Sequence, residues 1–546
     1  MNATPPASKN HRHHDGTSVP ETLQSLVVAF VLAMTFRGFC VEGFVIPTGS
    51  MAPTLMGQHL RFRSPQTAYE FPIDAGPVID SARAAAAGVA PPRLWRIYDP
   101  MLGTTGAVAS RNTAELLPDT RMGDRVLVLK FLYPFSEPSR WDVVVFKNPT
   151  DPVGDTQNYI KRLVGLPEES LLLADGDVFT GPLGAEPASL EIQRKPEYIQ
   201  RAVWQPIYDS DYVPIDLARL EQEWKAAYPG PPWQGGGWEV REDRTWRCDR
   251  GSATALEWDW QALPIDDRVP YNMFRPVQPF YPVSDLRVAA TIEPEDAGSF
   301  STGLDLVARS HRFSFDVNGQ GQARITIRHA ESDADSPPVL SAETTFEFPS
   351  RRAFDLEFWH VDQTLQIFVD DDEVARLEYD WGPLERLESA LFGRTLEQYQ
   401  RDPISAIPAP PQLRWRFEGS PLSMRAVRLD RDLYYRPMRI QPGERRGPDG
   451  EALPELGFGC DPRSPAALAS DQFLMLGDNS AASRDSRVWG FPHPLSALRT
   501  GEPRPFVVPR GMLLGKAWCV YFPAPTPYKP GGLAVIPDFG RLRFIR

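Results

Sequence analysis

An apolar run at residues 20–41 constrains the fold of this chain more than any other feature of its sequence. The segment from Leu26 to Phe36 is apolar apart from Thr35. It extends to roughly 20 residues if the long side chain of Arg37 carries its charge to the lipid surface. Because this length matches the thickness of a bilayer, we expect residues 20–41 to form a transmembrane anchor.

The charges around this run predict its orientation. Lys9 and Arg12 precede it, and positive charge tends to remain on the cytoplasmic side. We therefore expect a cytoplasmic tail at residues 1–19 and a single-pass protein of the cell (inner) membrane, with the rest of the chain extracytoplasmic, in the periplasm. A cleaved signal peptide is the alternative. The residues that follow, RGFCVEGFVIP, offer no clear small-x-small cleavage site.

Composition excludes several classes of protein. A chain of 546 residues predicts about three or four domains, and its 56 prolines favour loops and extended segments over helix bundles. The net charge of −13, without a long Lys/Arg run, argues against nucleic-acid binding. Four scattered cysteines argue against a disulfide scaffold or a zinc site, although a Cys248–Cys460 bridge is conceivable. We predict no metal and no cofactor.

A serine and a lysine are candidates for nucleophilic catalysis. Ser50 lies in FVIPTGSMAPTL, residues 44–55, and Lys161 lies in the strand-like segment NYIKRLVGLP, residues 158–167. A serine between Gly and Pro is most often a turn residue, and a strand lysine most often points to solvent. If Lys161 is buried instead, desolvation lowers its pKa, and the neutral amine can activate a serine hydroxyl.

A polar loop after an apolar strand adds candidate supporting groups. It reads GDNSAASRDSRVWG, residues 477–490. Asp485 and Arg487 can pair in it, and Ser483 can hydrogen-bond and orient a neighbouring amine.

Taken together, these segments resemble bacterial type I signal peptidases, which are Ser/Lys proteases. The segments GDRVLVLKF at 123–131 and RWDVVVFKNP at 140–149 match further motifs of that family in the same order. The resemblance implies that Ser50 is the nucleophile and Lys161 the general base. It also implies that Ser483 hydrogen-bonds the Lys161 amine and that Thr48, with the Ser50 N–H, forms the oxyanion hole.

The resemblance also implies roles for other residues and identifies partners. Structural polar roles fall to Arg162, Asp478, Asp485 and Arg487. Two shallow pockets for small side chains, one and three residues before the cut, are implied to involve Phe44, Ile46, Met51, Leu55, Val145, Tyr159 and Ile160. The expected partners are exported preproteins and the lipid bilayer, which residues 44–46 and 53–60 could contact.

Two positions depart from the family pattern. Ser480, Ala481 and Ala482 stand where the family usually has Arg-Asp-Asn, so a charge pair is lost near the lysine strand. Trp141 replaces a glycine before the aspartate of the RWDVVVF strand. These changes put the rigidity of the loop and the catalytic rate in doubt, and leave the reaction class unchanged.

We predict a mainly β protein with a signal-peptidase-type β catalytic core, one N-terminal transmembrane helix and an inserted jelly-roll sandwich. The expected organisation is a catalytic core at 42–180 and 465–546, a core insertion at 58–121, an irregular Trp/Pro-rich insertion at 181–280, a β-sandwich at 281–435 and a linker at 436–464. Within 58–121, the Ala-rich stretch at 80–90 predicts a short helix.

The sandwich prediction rests on strand-like alternation between turn residues such as Asn318-Gly319. Among the predicted strands are those at 286–292, 323–329, 344–348 and 354–361. This region resembles concanavalin/laminin-G-like jelly rolls. Trp359, His360 and Trp415 could stack on a glycan, although strand aromatics are more often core, and Asp370 to Asp372 could bind calcium, although a solvated turn fits better. The sandwich therefore has a possible glycan or protein ligand. The alternative function is a catalytically silent envelope protein that binds such a partner.

Overall fold

The structure is a computed structural model. It describes residues 19–89, 94–103, 107, 109–154, 156–214, 230–333, 336–349, 353–391, 393–445, 450, 452–527 and 534–546. Most of the tail predicted at 1–19, with Lys9 and Arg12, lies outside these residues. The predicted fold class is confirmed, since the chain is mostly β with an N-terminal apolar helix.

The apolar run forms one helix, Val19–Phe39, and none of its residues is buried against the rest of the protein. Within the described part of the chain it is the helix long and apolar enough to cross a membrane. The strand Val41–Val45 follows almost at once and enters the catalytic sheet. The first residues of that sheet therefore lie directly beside the end of the helix.

The catalytic sheet is antiparallel and joins strands from both halves of the predicted catalytic core. Its Val-rich strands are buried on both faces, as in Val143–Phe146, because other layers cover the sheet. In spatial order its strands are Val41–Val45, Arg125–Leu129, Leu513–Phe522, Val143–Lys147, Asn158–Gly165, Gln472–Leu476 and Val508–Pro509, with Arg543–Phe544 paired to Leu513–Phe522.

A small sheet extends the catalytic core toward the insertion. Its strands are Glu191–Ile192, Asp177–Pro182, Glu169–Ala174 and Ala466–Leu468. Leu171, Leu173 and Val178 pack on one side of it in a core shared with Trp141. The short helix Glu197–Val203 covers the same core through Ile199 and Val203.

The inserted β-sandwich has two facing sheets around a core of Phe, Trp, Leu and Ile side chains. One sheet consists of Trp238–Val240, Trp246–Cys248, Leu422–Arg431, Leu286–Pro294, Phe354–Val361, Thr364–Val369 and Asp372–Glu378, with Gln205–Asp209 paired to Leu422–Arg431. The other consists of Trp233–Gln234, Thr254–Trp258, Gln412–Glu418, Ser301–Ala308, His311–Asn318, Gln322–His329 and Leu340–Thr345.

The expectation of irregular structure at 181–280 was wrong. The region contributes edge strands to both sandwich sheets, and its Trp233, Trp246 and Trp258 are buried in the sandwich core. These strands are two to five residues long and are stabilised by the large aromatic area they bury. Cys248 and Cys460 are both buried and unpaired, so the conceivable bridge does not form.

The core insertion at 58–121 folds as a small layer beside Ser50. Its strands are Glu70–Asp74, His59–Arg63 and Thr120–Arg121, with the pair Trp95–Ile97 and Ala109–Arg111. The helix predicted at 80–90 begins and ends earlier, at Gly76–Ala86, where Pro77 occupies its first turn. The remaining helices with described bounds are Thr113–Leu116, Pro383–Ala390, Leu396–Arg401 and Pro494–Thr500, and Thr526–Pro527 pairs with Ala534–Ile536.

Buried ion pairs join the small sheet to the sandwich. Arg386 lies 3.0 Å from both Asp175 and Asp285, and Arg309 lies 2.6 Å from Asp175. Lys195 contacts Asp362 and Asp432 at 2.6 and 2.8 Å. Carboxylate oxygens of Asp177, Asp285 and Asp362 lie within 4.8 Å of one another, and the guanidinium and ammonium groups balance their charge.

Candidate active site

Ser50 lies in a tight turn directly after the first strand of the catalytic sheet. The backbone is extended at Thr48, with φ −127°, and then forms a single 3-10 turn over Gly49–Met51. Gly49 has no room for a side chain, because a Cβ there would lie 1.9 Å from the ring of Tyr271. The turn points the Ser50 hydroxyl into a groove and buries Met51 beneath it.

Lys161 reaches Ser50 from the strand Asn158–Gly165. Its Nζ lies 2.7 Å from Ser50 Oγ and donates a hydrogen bond of 3.1 Å to the Ile160 carbonyl. Only 3% of the side chain is exposed. Burial lowers the pKa of Lys161 from its ordinary 10.5 to about 8, although the charges of Asp485 and Asp478 act in the opposite direction.

Two buried ion pairs hold the strand and the loop around this lysine. Arg162 donates to both carboxylate oxygens of Asp478 at 2.8 and 2.7 Å, and Arg487 binds Asp485 in the same way at 2.9 and 2.7 Å. All four side chains are fully buried. Burial raises the pKa of the Asp485 carboxyl, but Arg487, the Gly477 N–H and the Ser483 hydroxyl together outweigh it, so this pKa lies below its ordinary value.

The predicted hydrogen bond between Ser483 and the Lys161 amine is absent from the structure. The Ser483 hydroxyl is buried beside Gly477 and interacts with the Asp485 carboxylate, whose pKa it helps to lower. The Lys161 amine instead takes Ser50 and the Ile160 carbonyl as its partners. Thr48 is exposed on the groove, and its hydroxyl bonds to none of the described residues.

The groove beside Ser50 has a volume of about 800 Å³. Of the predicted pocket residues, it is lined by Phe44, Ile46, Val145, Tyr159 and Ile160. The other two, Met51 and Leu55, do not line it. Both are fully buried in the core behind the groove, because the 3-10 turn directs them inward, where they pack on Ile46 and Val145.

Other lining residues were not predicted from the sequence. Asp74 comes from the core insertion, and Tyr271 and Asn272 come from residues 181–280. Nothing in the local sequence of these segments signals a role in a site, because tertiary packing alone brings them to Ser50. Gln157, Asn158, Asn479, Ala482 and Arg484 line the groove as well. Asn479 lies in the loop motif at 477–490, and its position in that motif could have identified it as a site residue.

The glycan candidates of the sandwich are not surface groups. Trp359, His360 and Trp415 are 0%, 2% and 0% exposed, so none of them can stack on a sugar. Asp370 and Asp371 form an exposed tight turn with positive φ, as expected for a hairpin tip.

Comparison with known proteins relates part of this chain to a family. Residues 104–195 match the family model described as signal peptidase, peptidase S26. Signal peptidase I of Pseudomonas aeruginosa is 35% identical over an alignment of 98 residues, and the match covers 14% of this chain and 34% of that relative. The chain is similar to bacterial type I signal peptidases. Signal peptidase I of Leptolyngbya laminosa is 33% identical over 89 residues, 15% of this chain and 42% of that relative. The chain thus matches about a third to two fifths of the length of these relatives.

Solved structures similar to this chain include β proteins that match at low scores. A carbohydrate binding module from Bacillus subtilis covers 36% of this chain and 95% of its own, with 10% identity and a TM-score of 0.22. A galectin of Caenorhabditis elegans covers 28% of this chain and 86% of its own, with 15% identity and a TM-score of 0.18.

The insertion compensates for the loop that departs from the signal peptidase pattern. Ser480 Oγ accepts hydrogen bonds from Arg487 and from the backbone N–H of Arg436 at 2.8 and 3.0 Å. Arg436 in turn forms a buried ion pair with Asp267 of the insertion. This ion pair places charged side chains beside residues 480–482, which carry no charge themselves.

Trp141, at a position where signal peptidases usually have glycine, has a backbone φ of +75°. Glycine adopts this conformation freely, whereas tryptophan is strained in it. The indole is 3% exposed and packs in the core of the small sheet, with the Lys195 ammonium 5.2 Å from its ring centre. Burial of the large ring offsets the backbone strain.

Proposed function

We propose that this chain is a membrane-anchored serine endopeptidase that removes N-terminal signal peptides from exported preproteins. The observation that carries the proposal is the 2.7 Å contact between Ser50 Oγ and a buried lysine amine at the edge of an open groove. A lysine with a pKa of about 8 is neutral often enough near neutral pH to accept a proton from a hydroxyl.

In the proposed mechanism, neutral Lys161 takes the proton of the Ser50 hydroxyl as Oγ attacks the scissile carbonyl carbon. The Thr48 hydroxyl and the Ser50 N–H donate to the resulting oxyanion. The Lys161 ammonium then gives its proton to the leaving amine, so the C–N bond breaks and an acyl-enzyme remains. Water attacks this ester, with Lys161 again taking the proton. The bond from the acyl carbon to Ser50 Oγ then breaks, Lys161 returns the proton to Oγ, and the signal peptide leaves with a free carboxylate.

Ser483 has a role in this sequence although it does not bond the amine in the resting state. A protonated Lys161 amine has three N–H donors. Its contacts with Ser50 Oγ and the Ile160 carbonyl use two of them. We propose that the Ser483 hydroxyl, which interacts with Asp485, accepts the third N–H on its oxygen once Lys161 is protonated.

The substrate class follows from the shape of the groove. Its floor consists of the buried side chains Ile46 and Val145 with Ile160, all apolar, and Met51 closes it from beneath. We propose that this apolar floor accepts small residues, such as alanine, one and three positions before the cut.

The proposed anchor is the helix Val19–Phe39, with the N-terminus in the cytoplasm and the groove on the periplasmic side of the inner membrane. An exposed apolar surface near the C-terminus supports contact with lipid through Trp518, Tyr521, Phe539, Leu542 and Phe544. In contrast, Leu55, Met56 and Leu60 are at most 5% exposed, so most of the expected 53–60 surface is not available to lipid.

Cleavage of a preprotein tests the proposal directly. The full chain, solubilised in detergent, is incubated with a preprotein that carries an Ala-x-Ala site, and the products are identified by mass spectrometry. We expect a single cut after the second alanine, lost by several orders of magnitude in both Ser50→Ala and Lys161→Ala, since the two groups act as one unit.

Matched controls come from the same part of the protein. Lys147 lies at the end of the neighbouring strand and Ser136 in an exposed turn, and neither borders the groove. Lys147→Ala and Ser136→Ala should cleave as the wild type does. A folded wild-type chain that leaves the preprotein intact would reject the proposal and favour a silent envelope protein.

A further inference from the structure

The wall of the groove beside Ser50 is supplied by the insertion. A 3-10 turn at Pro270–Asn272 lies against the strand Glu70–Asp74 and reaches the nucleophile turn. The Tyr271 ring fills the space over Gly49, and its hydroxyl donates to the Gln58 carbonyl at 2.9 Å. Tyr271 is 3% exposed and packs on Ala52 and Met56. This turn is therefore a fixed part of the site.

Asn272 ties the same wall to the loop at 477–487. Its side-chain amide and that of Asn479 exchange two hydrogen bonds of 2.8 Å. Asn479 also donates from its side chain to the Gly49 carbonyl at 3.0 Å and from its backbone to the Ser50 carbonyl at 3.1 Å. The position of Asn272 is thereby set relative to the backbone of the nucleophile.

The groove has two kinds of lining. Phe44, Ile46 and Ile160 belong to one apolar cluster, whereas the Tyr271 ring lies over Gly49 and is followed by Asn272. A peptide that lies extended along the strand at 44–46 passes Ser50 and then meets Asn272. Since extended chain advances about 3.3 Å per residue, the first or second residue after the cut reaches this wall.

The wall is thin at Asn272. On its far side lies a second cavity of about 470 Å³, bordered by Asn272, Met273, Val277 and Ala481. Asn272 borders both this cavity and the groove. Removal of its side chain would therefore connect the two spaces and make room for a large side chain.

We propose that Tyr271 and Asn272 form the wall of the groove beyond the scissile bond and restrict the first residues of the mature protein to small side chains. This inference rests on the proposed peptidase function. The insertion then determines part of the substrate specificity. Its residues Tyr271 and Asn272 contact the substrate but take no part in proton transfer.

The test compares substrates that differ only after the cut. Preproteins with an unchanged Ala-x-Ala site carry Gly, Ala, Leu or Trp at the first position after it, and kcat and KM are measured for each. We expect the wild type to prefer Gly and Ala over Trp at least tenfold in kcat/KM. Asn272→Ala should reduce that preference to about threefold or less by accelerating the Trp substrate.

Two further variants separate selection from loss of structure. Asn272→Asp keeps the size of the side chain and loses one hydrogen bond to Asn479, so it should be slower on every substrate with the preference retained. Gln261→Ala changes an exposed residue of the insertion away from the groove and should behave as the wild type. An unchanged profile in Asn272→Ala, or a change confined to residues before the cut, would overturn the inference.

A binding measurement keeps the inference independent of turnover. A peptide with cysteine at the second position after an Ala-x-Ala site is oxidised with the Ser50→Ala/Asn272→Cys protein, and the cysteine to which it attaches is mapped by mass spectrometry. Attachment at position 272 supports the wall even if the wild type proves inactive. Attachment elsewhere, or none, contradicts it.

Discussion

The pKa of Lys161 makes the proposed activity depend on pH in a defined way. Burial disfavours the ammonium form and lowers this pKa from 10.5 to about 8. At pH 7 the neutral fraction is then about one tenth, against about one in 3,000 for an ordinary lysine. The environment of the lysine thus provides about a 300-fold gain in active base.

The expected result is a kcat/KM that rises about tenfold per pH unit below pH 7 and levels off above about pH 8.5. Cleavage of a fluorogenic Ala-x-Ala peptide between pH 5.5 and 10 measures the curve, with circular dichroism at each pH to show that the protein stays folded. Lys161→Arg should be inactive throughout, because a guanidinium does not lose its proton in this range. A rate that still rises tenfold per unit above pH 9, or that is flat from pH 6 to 8, would refute the reasoning.

Three other predictions concern residues around the site. Urea unfolding should show that Trp141→Gly lowers the free energy of unfolding by roughly 2–3 kcal/mol, because it leaves a cavity. Trp141→Ala leaves a similar cavity and should be less stable than Trp141→Gly by about 1 kcal/mol, because only glycine relieves the strain of the positive φ. The same measurement should show Arg162→Met to lose about 3–5 kcal/mol by leaving Asp478 buried without its partner, and much of this should return when Asp478→Leu is added. Steady-state kinetics of Thr48→Val should show kcat lowered about 10²–10³-fold with little change in KM, while Thr48→Ser stays near the wild type.

The sequence predicts best where its local pattern matches the structure. In the sandwich, Phe354–Val361 follows its predicted bounds, and Leu286–Pro294 and Gln322–His329 extend them by at most two residues, since alternation along a strand is a local property. The strand predicted at 344–348 lies earlier, at Leu340–Thr345. The family motifs likewise identified segments that the structure brings together at Ser50 and Lys161.

The rest depends on contacts that no local pattern shows. Met51 and Leu55 were expected in the groove, but one 3-10 turn decides that they point into the core. Tyr271 and Asn272 lie in a proline-rich stretch without periodicity, and only the packing of the insertion on the nucleophile turn gives them a role. The short strands of residues 181–280 escaped prediction for the same reason, since each pairs with distant chain.

The interleaving of the insertion with the catalytic core has a consequence for the newly made protein. Arg162 and Asp478, which pair beneath the site, are 316 residues apart, and the whole sandwich is synthesised between them. Chains generally fold from the N-terminal side as they emerge. In the proposed topology, Ser50 and Lys161 would therefore cross the membrane before the loop at 477–487 could cover them, and Lys161 would stay solvated and protonated until then. The proposed activity would begin only when export of the chain is nearly complete.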